Sequence, residues 1–133
     1  MIENGDHPAY EGWRTNPADR QEDAANLFGL YLMRHCRSEA IDEVPAGASA
    51  EVRRAVEKGV DAALHNVMDL LEGYWSLPAG KDLRAELALH VDVFREDALV
   101  ESQSVSPGQI DLPIGYWAWV ERYGDRSRDL RGA

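Results

Sequence analysis

The chain has one cysteine, Cys36, in 133 residues. No disulfide can close within it, and the usage fits a reducing compartment. No apolar run approaches the roughly 18 residues that a membrane-spanning helix needs. The opening Met-Ile-Glu-Asn-Gly-Asp-His-Pro has neither a basic leader nor an apolar stretch. No secretory signal is therefore expected, and a cytoplasmic location follows by elimination. Basic residues are scarce: 14 Lys and Arg stand against 24 Asp and Glu, a formal net charge of -10. Phosphate backbones repel such a chain, so neither nucleic acid nor a membrane surface is an expected partner. A basic protein is the partner that this charge attracts.

Several catalytic signatures are missing as well. No Gly-x-Gly-x-x-Gly follows a strand pattern, and no Gly-x-x-x-x-Gly-Lys-Ser/Thr occurs. Gly-x-Ser-x-Gly, His-Glu-x-x-His and paired Glu-x-x-His are absent too. Nucleotide-dependent, serine-hydrolase and di-iron chemistry therefore have no support, and no cofactor is expected.

What is present reads as one α+β domain over residues 1–133, of ordinary apolar and charged content. Residues 1–16 form an irregular arm whose Tyr10 and Trp13 can dock on the body. Asn16-Pro17 is a cap followed by a good first helical residue, and it opens a long helix over Pro17–Ile41. Ala24, Leu27, Phe28 and Tyr31 share one face of it, widened by Leu32 and Cys36, with His35 inside the stripe. After a Pro/Gly connection, Ser49 caps a second helix over Ala50–Glu72, which Gly73 ends. The short link predicts an antiparallel pair. In the second helix Val52, Val56, Val60, Ala63, Leu64, Val67, Leu70 and Leu71 occupy one side. Arg54, Lys58, Asp61, His65, Asp69 and Glu72 occupy the other.

The period then changes from 3.6 to 2. Ala85, Leu87, Leu89, Val91 and Val93 alternate with polar neighbours, which predicts a half-buried strand over Ala85–Val93. Arg95–Ala98 is a turn, and Leu99–Val105 the returning strand of a β-hairpin. A lone two-stranded hairpin is marginal in water. Helices must cover it, the arm must add a strand, or a second copy must pair at its edge and make a homodimer. A short third helix runs over Pro113–Tyr123 and stops at Gly124, and residues 125–133 read as a frayed tail.

His65 and Asp69 are i, i+4 neighbours, with Glu72 one turn on and Asp61 one turn before. With His90 from the strand, such a set would suit a divalent metal or acid–base work. The same arc carries Arg54 and Lys58, the pattern of a solvated face with i, i+4 charge pairs. His35 and Cys36 point about 100° apart on one helix, a poor start for a thiol–imidazole pair. A buried small hydrophobe is the plainer role for Cys36.

The tripeptide Gly-Tyr-Trp occurs twice, at Gly73–Trp75 and Gly115–Trp117, with Trp119 two residues on. The rings of Tyr74, Trp75, Tyr116, Trp117 and Trp119 have two readings: core at the helix ends, or an exposed patch rimmed by carboxylates such as Glu72.

Two segments, His65–Gly73 and Leu112–Glu121, resemble segments of small acidic uncharacterised bacterial proteins of immunity-protein type. That resemblance implies a binding role in which acidic, aromatic surface meets a basic toxin, and it carries over no catalytic residue. The expectation is thus a non-enzymatic module that occludes a basic protein. The alternative is a small metal-dependent or acid–base enzyme built on His65, Asp69, Glu72 and His90.

Overall fold

The computed structural model describes residues 9–124. Residues 1–8 of the expected arm and the whole expected tail, 125–133, lie outside them. The elements are α1 (Pro17–Tyr31), a π-helical turn (Leu32–Arg37), α2 (Ser38–Ile41), α3 (Ala50–Glu72), β1 (Leu77–Gly80), β2 (Leu83–Ala85), β3 (Leu89–Arg95), β4 (Ala98–Ser106) and α4 (Leu112–Trp119). A second π-helical turn, Val120–Gly124, follows α4, and a 3-10 turn, Tyr10–Gly12, precedes α1. The class is α+β.

The caps act where the sequence puts them. Asn16 accepts from the Ala18 amide at 2.9 Å and Ser49 from Val52 at 3.1 Å. Gly73 ends α3 at φ 82°, a left-handed conformation that costs glycine little. Asp111 caps α4, its side chain accepting from the Ile114 amide.

The first helix is not one regular helix. Its π turn carries an extra residue, so the inward side is picked up at five-residue spacing. Leu32 and Met33 are buried, and so are Arg37 and Ser38 five positions later. Tyr31, His35 and Cys36 are turned out to solvent instead, Tyr31 and His35 stacked at 5.5 Å. The expected apolar stripe is corrected there, and Cys36 is not the buried hydrophobe it resembled.

The β region also differs. β1 and β2 form an antiparallel hairpin of their own, with Asp82 at positive φ in its turn. The Pro78-Ala79-Gly80 breaker thus belongs to a strand. The strand expected over Ala85–Val93 is split: Ala85 ends β2, and the second hairpin starts only at Leu89, pairing Val91 with Gln103 and Val93 with Glu101. The inward side of β3 is Leu89, Val91 and Val93, packed against the core from the sheet that lies on α1. Helical cover is therefore what supports this hairpin. Among the described residues no third strand joins either sheet.

The core joins α1, both π turns, β4 and α4: Ala24, Ala25, Leu30, Met33, Val105, Leu112, Tyr116, Trp119 and Tyr123, with Met68 from α3. Trp119 is its largest side chain. Its indole lies over Gly29 of α1, edge-on to Phe28 at 5.7 Å, and its Nε1 donates to Asn26 Oδ1 at 2.9 Å. Trp13 of the arm is buried, and Tyr10 donates from its hydroxyl to Glu101 at 2.8 Å. The arm docks as its aromatics suggest.

The expected pair of long helices is matched in part. α3 spans 23 residues, but it meets the first helix mainly beyond Tyr31, and its principal neighbour is α4. That packing rotates α3 part of the way: Leu64 and Leu71 of the apolar side still reach the core, but Val52, Ala63 and Val67 turn outward. Met68 is its one fully buried residue, and Asp61 and Asp69 keep 13% and 17% of their side-chain exposure. Val52 and Val67, on the apolar side, are 46% and 44% exposed.

Candidate functional site

The reason for the turn lies in Arg37. The π turn drives this side chain inward until 1% of it is exposed. A buried guanidinium requires carboxylates within hydrogen-bond reach. Its Nε donates to Asp61 Oδ1 at 2.6 Å, and Nη2 donates to Asp61 Oδ2 at 3.1 Å and Glu57 Oε1 at 3.2 Å. Tyr116 donates its hydroxyl to Asp61 at 2.6 Å. Burial first, then that hydrogen bond, pushes the Tyr116 phenol far above its ordinary pKa. Gly124 leaves room for the guanidinium, since a Cβ there would stand 3.0 Å from Nη1. The Asp61 edge of the polar arc is therefore fixed to the rest of the molecule, while Arg54 and Lys58 on the same arc stay exposed.

From this anchor α3 and α4 run antiparallel, tied at three levels. Asp61 meets Tyr116, His65 stacks on Trp117 at 5.4 Å, and Glu72 accepts from the Leu112 amide at 2.7 Å. Two carboxylates, Glu72 and Asp111, thus sit at the positive end of α4. Tyr74 donates its hydroxyl to Asp111 at 2.5 Å. That bond, some burial and the nearby charges of Asp111, Glu72 and Asp69 push the Tyr74 pKa up to about 12.

The outer edge of this pair is apolar. Ile114 is 71% exposed and Trp117, one turn on, 49%. Tyr74 lies at the Asp111 end of the same edge, also exposed. Asp69, Glu72 and Asp111 border it. At the Trp117 end, a cleft of about 670 Å³ opens between α3 and the indole, lined by Arg54, Glu57, Lys58, Asp61, His65 and Asn66 among others.

The expected aromatic patch is therefore divided. Tyr116 and Trp119 are fully buried and cannot line a docking surface; they are core. Tyr74 and Trp117 are on the surface. Trp75 is exposed too, but it faces a separate hollow of about 340 Å³ with Glu72, Leu77, Arg84 and Leu87. Ile114 and Asp111 were missed. Ile114 stands three residues before Trp117, a spacing that places both on one side of a helix; Asp111, the cap, joins the edge through its bond to Tyr74.

The metal-type set is not brought together. His65 Nδ1 stands 3.7 Å from Asp69 Oδ2, while Glu72 is committed to the α4 cap. His90 is on the exposed side of β3, in the sheet packed on α1. Among the described residues no three His, Cys, Asp or Glu side chains converge on a point where a metal ion could sit. His65 serves instead as the platform under Trp117.

No helix among the described residues is long and apolar enough to cross a membrane. The chain matches no protein-family model, no curated protein and no solved structure.

Proposed function

We propose that the protein is a non-enzymatic binding module that occludes a basic protein through the outer edge of α3 and α4. The observation that carries this reading is the exposed line Tyr74–Ile114–Trp117 bordered by Asp69, Glu72 and Asp111. A large ring and a branched aliphatic chain left in water beside carboxylates have the composition of an interface centre with a charged rim. The net charge of -10 steers a cationic partner toward the molecule. Trp117 and Ile114 then anchor it, and Trp117 is held ready by its stack on His65. The resemblance to immunity-type proteins supplies the class of partner, a basic toxin whose working surface would be covered.

The test is a binding titration against a panel of Arg- and Lys-rich proteins and peptides, read by Trp fluorescence. Trp117→Ala and Ile114→Asp each weaken binding about 10-fold or more, as anchor losses do, and added salt slows association. Binding that ignores both substitutions and salt contradicts the proposal.

A further inference from the structure

α3 carries a second surface, on its far side from Asp61 and His65, that the described residues leave bare. Its ridge is Val52, Val56, Val60, Ala63, Val67 and Leu70, spread over about 27 Å of helix at 1.5 Å per residue. Val52, Ala63 and Val67 are exposed, the other three half-buried. At 100° per residue, no Asp or Glu falls within an arc of about 180° around this ridge; Arg53, which donates to the Pro45 and Ala46 carbonyls, borders it beside Val60. Asn66 is its one uncharged polar residue, and a Cβ on Gly59 would meet nothing within 4 Å. An amphipathic stripe of this quality is normally covered.

We infer that a second copy of this chain covers it, the two α3 helices packing antiparallel about a twofold axis that passes between Val60 and Ala63. Two observations select that occupant. Two chains of charge -10 repel, and a face without carboxylates is where they meet without opposing like charges. A basic partner, in contrast, finds no counter-charge there. Second, the ridge is self-complementary. Val56, Val60, Ala63 and Val67 are spaced four, three and four, which reads the same in reverse. Val56 then faces Val67 of the second copy and Val60 faces Ala63, as an isologous contact requires. The alternating three and four spacing is that of a coiled-coil seam. Two such strips, each about 27 Å by 10 Å, come to roughly 540 Å² together, the size of a weak, transient contact. The dimer is accordingly a weak one. It is independent of the basic-partner reading, since it uses the opposite side of α3.

Sedimentation equilibrium of the full chain tests it. The weight-average mass should rise from 14.9 kDa toward twice that value as concentration passes through the micromolar range. Ala63→Glu places two unpaired carboxylates beside the axis and raises the dissociation constant more than about 10-fold. Ala63 is exposed in one copy, so circular dichroism and the melting curve of the dilute variant stay unchanged. In a Cys36→Ser background, a mixture of Val56→Cys and Val67→Cys chains cross-links on oxidation, whereas Val56→Cys alone does not. A wild-type chain that stays monomeric throughout overturns the inference, whatever else binds the face. So does a dimer that survives Ala63→Glu, as one joined at a strand edge would, or Val56→Cys chains that cross-link with each other.

Discussion

Gly29 is where a single atom decides the packing of the core. A Cβ on it would lie 2.2 Å from the Trp119 indole, well inside van der Waals contact. Glycine costs a helix interior up to about 1 kcal/mol against alanine, yet here it admits the largest ring of the core. Gly29→Ala should therefore destabilise by about 2 to 3 kcal/mol despite its better helix propensity, as overpacking does. Urea unfolding measures this directly. Tyr74 illustrates an electrostatic effect at the same scale. Its hydrogen bond to Asp111 and the carboxylates around it hold the phenol protonated to about pH 12. The raised value stabilises the fold fully below the ordinary tyrosine pKa of 10.0, and this contribution is lost as pH rises toward 12. An ultraviolet titration should find one late-ionising tyrosine move earlier in Asp111→Asn. An unchanged curve would contradict the bond.

Among the elements, those marked by local chemistry were legible in the sequence. Asn16, Ser49 and Gly73 bound helices as capping residues do, and alternation located the β3–β4 hairpin and its turn. Three things were not legible. A π turn has no propensity signature, so nothing announced that Arg37 would point inward while His35 and Cys36 point out. The β1–β2 hairpin contains Pro and Gly and is only four and three residues long, which reads as a break. The rotation of α3 is the third. Hydrophobic periodicity says which side of a helix is apolar; it does not say whether the chain has another element to lay on that side. Here the buried guanidinium of Arg37 captures Asp61 and Glu57, and α4 follows on that side. The candidate site was legible to the same degree. Exposed Trp117 and rim residue Glu72 were named from sequence. Tyr116 and Trp119 proved to be core because i, i+3 neighbours on α4 both turn inward.

At the scale of the whole molecule, Glu101 holds separate parts together. It accepts from Tyr10 of the arm and from Arg20 of α1 while standing on β4. The Arg20 hydrogen bonds, opposed in part by burial and helped by Gln103 and Tyr10, hold its carboxyl down to about 2. A lowered value stabilises above the ordinary carboxylate range and is lost as pH falls through about 2. Glu101→Gln should thus cost about 1 kcal/mol near neutral pH, with the exposed edge of the pair screened by solvent. The two proteins should converge in stability by pH 2. Equal stability at both pH values would show that the arm is not fastened here.

Both proposed surfaces depend on which way α3 faces: Asp61 and Glu57 inward on Arg37, Val52 and Val67 outward. The direct measurement is the unfolding free energy of Asp61→Ala beside Val67→Lys, both at concentrations where the chain is monomeric. If α3 is oriented as described, Asp61→Ala leaves Arg37 without its main partner and costs about 3 kcal/mol or more. Val67→Lys, on the open face, stays within about 0.5 kcal/mol of the parent. The reverse order, a harmless Asp61→Ala and a damaging Val67→Lys, would mean that the valine side is the buried one. Neither the α3–α4 docking edge nor the bare valine face would then stand.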